Sequence, residues 1–145
     1  MAAFLNARQL ANAGDPEGQY LYGATLLQMQ DKKAEGLSWL RKSAEQGNVS
    51  AINALAWQQA TDSDASLRNG AEALQWAEKA CQQDGWKTAA YVDTLAAAYA
   101  ELERWNEAVA TQRQAITKVP AADAELRASC ESRLEKYLKH EKVRE

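Results

Sequence analysis

The chain has 145 residues, a formal net charge of −3, two cysteines and one histidine. Thirty alanines stand against thirteen Val, Ile and Thr together, which excludes a sheet-rich fold. The cysteine count excludes a disulfide scaffold, and 46% hydrophobic residues with five Trp exclude a disordered tail. What remains is one compact all-α domain over residues 1–145 that is neither a basic nucleic-acid binder nor an acidic tail.

In chain order, residues 2–13 read as one helix carrying Phe4, Leu5 and Leu10. Helix pairs are predicted at 17–29 with 33–46, 50–60 with 69–83, and 88–102 with 105–118; a longer helix covers 122–140. Gly14, Gly47 and Gly85 fall just after helical runs, where a left-handed cap is favoured. Pro16 sits in a first turn, where its missing N–H costs nothing, and Pro120 closes the third pair. Residues 60–69 lengthen the second pair, and Thr61-Asp62-Ser63-Asp64 within them reads as a solvated loop.

The pairs repeat. Tyr22-Gly23 corresponds to Leu55-Ala56 at an offset of 33, and these to Leu95-Ala96 at an offset of 40. Gly36-Leu37, Trp39 and Lys42-Ser43 recur as Ala73-Leu74, Trp76 and Lys79-Ala80, then as Ala108-Val109, Thr111 and Gln114-Ala115. Small residues seven apart lie on one helical face, where their lack of bulk lets helices approach closely. The recurring Trp39 and Trp76 are core wedges. Trp86 is expected over the junction between pairs, and Trp105 at the turn that opens the last second helix.

Residues Gly36-Leu37-Ser38-Trp39-Leu40-Arg41-Lys42-Ser43-Ala44-Glu45-Gln46-Gly47-Asn48 resemble the Sel-one-like repeat, with Ser43 replacing the usual Ala. Leu95, Ala96, Tyr99, Ala108, Ala115 and Pro120 resemble the tetratricopeptide pattern, departing from it at Gln112, where an aromatic is common. The stretch Arg133 to Leu138 resembles the closing helix of bacterial proteins of this type. The matches span roughly residues 10–140. The resemblance implies a right-handed α-solenoid of antiparallel helix pairs: a half-repeat helix at 2–13, repeats at 16–48, 49–88 and 89–121, and a C-terminal capping helix and tail at 122–145. It also implies that the first helix of each pair lines a concave groove.

The chemistry-bearing residues do not converge. Cys81 and Cys130 form no motif, and His140 lies in the charged run 139–142. A zinc site needs about four Cys or His ligands, and the sequence holds three, scattered. No glycine loop is spaced to cradle phosphate. Residues 123–145 hold six basic and six acidic side chains, the pattern of a solvated helix with local salt bridges. The expectation is therefore no enzyme, no cofactor, no metal, no small-molecule substrate, no nucleic acid and no membrane span.

Residues 17–29, 50–60 and 88–102 contain no Lys or Arg. Against the carboxylate clamp of chaperone-binding tetratricopeptide domains, clamp positions fall on Tyr20, Ala24, Asn53 and Asp93, and only Asn53 fits. Without cations a bound peptide carboxylate stays unpaired. The groove residues expected to meet a partner are Tyr20, Ala24, Asn53, Trp57, Asp93, Ala97 and Glu101. Trp57 is either a peptide anchor or packs against Tyr20 or the loop at 61–68; Asn53 offers a paired donor and acceptor or is an ordinary exposed polar residue.

The expected function is a non-enzymatic protein–protein interaction module holding a peptide or protein. The alternative is a structural or docking segment of a larger assembly with no groove ligand. The lone N-terminal helix, lacking a polar cap, reads as a truncation scar, a junction to further repeats or a self-association face. No basic stretch followed by a long apolar run opens the chain, which points to the cytoplasm; a mature or excised chain leaves the periplasm and secretion open.

Overall fold

A computed structural model describes residues 2–145. It is all-helical: the described residues form eight α-helices, with 76% of the chain helical and no strand. The helices are α1 (Ala2–Asn12), α2 (Pro16–Leu27), α3 (Lys33–Glu45), α4 (Val49–Thr61), α5 (Gly70–Gln83), α6 (Ala89–Glu101), α7 (Trp105–Thr117) and α8 (Ala124–Leu138). Every boundary lies within two residues of its sequence-based expectation, because the stops are written locally. Gly14, Gly47 and Gly85 adopt φ of +89°, +89° and +71°, a region open to glycine at no steric cost. Asp15, Asn69 and Asp123 accept hydrogen bonds from the Gly18, Glu72 and Leu126 amides at 2.7, 3.1 and 3.0 Å, satisfying donors that helix starts leave open.

The chain forms two compact units, Met1–Leu55 and Ala56–Glu145. In the first, α2 packs on both α1 and α3. Its core joins Ala7, Ala11, Tyr22 and Leu26, with Phe4 and Trp39 against them; the Tyr22 ring meets Phe4 at 5.4 Å and Trp39 edge-on at 5.6 Å. Gly23 and Gly36 let the α2 and α3 backbones touch: a Cβ on either would lie 2.9 or 2.8 Å from the other's carbonyl oxygen. Polar ties close the pair: Ser43 Oγ donates to the Pro16 carbonyl at 2.6 Å, and Gln46 Nε2 donates to Gln19 Oε1 at 2.8 Å. On α1, Leu5 and Leu10 remain exposed.

In the second unit α6 is the central helix, packed between α5 and α7, and α8 closes on α7. Only Ala90, Tyr91, Tyr99 and Glu101 of α6 escape full burial. Its alanines now have distinct partners. Ala97 and Ala98 meet Ala60 and Ala73, whereas Ala96 and Ala100 meet Ala108, Tyr137 and Val143.

Two loop expectations are corrected. Residues 61–64 are not a simple solvated loop, because Asp62 is fully buried. Its Oδ1 accepts from the Asp64 amide at 2.9 Å, and its carbonyl accepts from Arg68 Nη1 at 2.8 Å; a short 3₁₀ turn follows at Ala65–Leu67. Nor does the last helix reach 140. It stops at Leu138, and His140 turns the chain with φ +57°. Glu103 and Trp86 also adopt left-handed backbone, at +59° and +63°, which costs a non-glycine residue about 1 kcal/mol. The His140 ring stacks on Trp105, 5.1 Å between centroids and 4° from parallel.

Candidate functional site

Of the residues expected at a partner surface, Tyr20, Ala24 and Asn53 belong to the first unit and Trp57, Asp93, Ala97 and Glu101 to the second. Tyr20, Ala24 and Asn53 are half-buried. The Asn53 Oδ1 is buried and accepts no hydrogen bond from the described residues.

Within the second unit Asp93 and Ala97 are buried, at 5% and 2% exposure, so neither presents a surface to a partner. Asp93 is instead the centre of a polar cluster. Arg133 of α8 donates to both its oxygens, Nε to Oδ1 at 2.8 Å and Nη2 to Oδ2 at 2.7 Å, the bidentate geometry that favours Arg over Lys. Gln112 Nε2 donates to Asp93 Oδ1 at 2.8 Å and to the Cys130 carbonyl at 2.9 Å. Gln112 thus has a physical role: it brings a donor from α7 to the buried carboxylate on α6, which a phenyl or aliphatic side chain could not supply.

Glu101, at the end of α6, gathers three cations. Arg68 Nε lies 3.3 Å from Oε2, and Arg144 Nη2 and Lys142 Nζ lie 2.8 and 3.6 Å from Oε1. The first helices carry no positive charge, yet the acids of α6 do not go unpaired, because α8, the 3₁₀ turn and the C-terminal segment deliver guanidinium and ammonium groups to them. Residues 123–145 are accordingly not a wholly solvated helix with local pairs; Arg133 and Arg144 pair with partners forty and forty-three positions away.

Trp57 is half-buried and engaged. Its Nε1 donates to Glu145 Oε2 at 2.8 Å, and the Arg133 guanidinium lies 5.4 Å from its ring. It packs against the Ala60–Ala73–Ala97–Ala98 cluster on one side and the Val143 cluster on the other. Within this unit Trp57 thus meets the C-terminal segment, and no periodicity in the sequence signalled that contact.

Segment 141–145, which has no regular secondary structure, therefore lies over a face made by Trp57, Thr61, Ala96, Ala100 and Glu101. Val143 is 8% exposed, seated on Ala96, Ala100, Ala108 and Tyr137. The Glu145 amide donates to the Thr61 carbonyl at 2.8 Å, and the Ser63 amide donates to the Glu145 carbonyl at 2.9 Å. Main-chain pairing plus side-chain seats is how extended peptides are captured at a folded surface.

Nucleophilic chemistry finds little support in the thiols. Burial, then the Asp84 and Glu78 carboxylates, pushes Cys81 up to about 12. Burial, then Asp93, raises Cys130. A thiolate is the reactive form, so neither cysteine should react with a disulfide reagent at pH 8 within minutes unless the protein is unfolded. Rapid titration of either thiol in the native protein would contradict this. Among the described residues no group of three His, Cys, Asp or Glu is placed to hold a metal ion, and no helix is long and apolar enough to cross a membrane. No protein-family model, curated protein or solved structure matches the chain.

Proposed function

We propose that the chain is a tetratricopeptide-like helical repeat acting as a non-enzymatic protein-interaction module, and that the Trp57–Glu101 face of its second unit holds an extended peptide. One observation carries the reading: this face already accommodates a non-helical segment, through main-chain bonds at Thr61 and Ser63, an apolar seat for Val143 and a carboxylate for flanking cations. The face is built on helices, so little ordering remains when a ligand docks. Selection of displayed random peptides on the whole chain should enrich binders whose capture falls at least tenfold on Trp57→Ala. Binders indifferent to that change, or none at all, would defeat the reading.

A second reading is a structural or docking segment with no peptide ligand. It is favoured by the same contact seen differently: the face is filled by the chain itself, as a packed core is. Under it Trp57→Ala lowers stability and leaves any assembly contact elsewhere on the surface unchanged.

A further inference from the structure

We propose that residues 141–145 are an intramolecular occupant of the peptide face, displaced by a partner segment of like chemistry: an extended stretch with an aliphatic residue between two cations. This rests on the peptide-binding reading above and adds its ligand class and its regulation.

The ligand class follows from the seat. Ala96, Ala100 and Ala108 leave room the size of a branched aliphatic side chain, and Val143 fills it. Glu101 is 10% exposed and bonded on both oxygens, with Lys142 and Arg144 reaching it from either side of Val143. A largely buried carboxylate that accepts these two cations beside Arg68 selects for positive charge and against an acidic or neutral segment. Trp57 Nε1, a donor only, receives a carboxylate next along the chain, that of Glu145.

Displacement follows from how the segment is held. It joins α8 through the left-handed His140, not through a continuing helix. The side chains of Lys142 and Arg144 are about one-third exposed, at 33% and 32%, so salt screens their pairs with Glu101. An open cleft lined by Ser129, Ser132, Lys136 and Arg144 runs between α8 and the segment, so nothing wedges it in place from that side. Every contact it makes could be remade by a second chain with the same residues.

The test uses the whole chain and a synthetic peptide of residues 139–145, blocked at both ends and fluorescently labelled. In the variant Lys142→Ala/Val143→Ser/Arg144→Ala the occupant is weakened while α8 is untouched. Fluorescence anisotropy should show this variant binding the peptide at least tenfold more tightly than the native chain, with the gain lost on adding Glu101→Gln. Equal binding by native and weakened chains would overturn the occupant idea and leave the peptide face standing. No binding by a weakened chain that keeps its helical circular dichroism would overturn both. Loss of the fold in the weakened chain would make the segment a core element and overturn the occupant idea. Hydrogen exchange on the native chain gives an independent reading. The Ser63 and Glu145 amides should exchange well before the buried α6 amides, and the chain's own Glu145 amide faster still in excess peptide while Ser63 stays covered; exchange only through global unfolding would refute displacement.

Discussion

Replacing Arg133 by Met should destabilise the second unit by about 3 kcal/mol, the loss expected when one partner of a buried ion pair is removed. Arg133 donates to both oxygens of Asp93, a carboxylate that is 5% exposed. Met keeps most of the packing of the Arg stem, so the loss reports the stranded charge rather than a cavity. The double variant Arg133→Met/Asp93→Asn should recover at least half of it, because a neutral amide can still accept from Gln112, which lies 2.8 Å from Asp93 Oδ1, while no buried charge remains. Urea unfolding of the two single variants and the double measures the coupling. Additive losses would mean that the pair is not a unit.

Gly36→Ala should cost the first unit about 2 kcal/mol, although alanine is the better helix former by about 1 kcal/mol. The new Cβ would stand 2.8 Å from the Gly23 carbonyl oxygen and 3.1 Å from the Leu27 amide nitrogen. Both are backbone atoms of α2 and cannot rotate aside, so the helices must separate, and overpacking of this kind costs about 1–3 kcal/mol. Gly23→Ala should behave alike, its Cβ meeting the Gly36 carbonyl oxygen at 2.9 Å and the Leu40 amide nitrogen at 3.1 Å. The double variant should lose less than the sum of the singles, since one separation relieves both collisions. Unchanged denaturation midpoints would show that α2 and α3 are not held at backbone contact.

The two predictions differ in how visible their residues are in the sequence. Gly23 and Gly36 stand out because the positions recur as Ala56 and Ala73, then Ala96 and Ala108, and a repeat of small residues has few causes other than close helix approach. Arg133 stands out in nothing: it is one of six basic residues in a stretch with six acids, and its partner is forty positions away. Asp93 and Ala97 could be assigned to the right helix but not to the right side of burial, since α6 is packed by neighbours on both flanks and by the C-terminal segment, and helix periodicity counts only one buried face. Trp57 was legible as a residue of note, yet its choice of partner lay eighty-eight positions downstream, at Glu145.

The sequence by itself determined the all-helical class, the number of helices and, to within two residues, where each begins and ends. Those features depend on side chains within a turn or two: a capping Asp or Asn, a glycine at a left-handed stop, an alanine run with few β-branched residues. Only the tertiary structure decided which charges meet and what covers the α6 face. The left-handed turn at His140 sends residues 141–145 back over α6, and from there Val143, Arg144 and Glu145 reach side chains no local pattern relates to them. Contacts of that kind depend on the summed geometry of several helices.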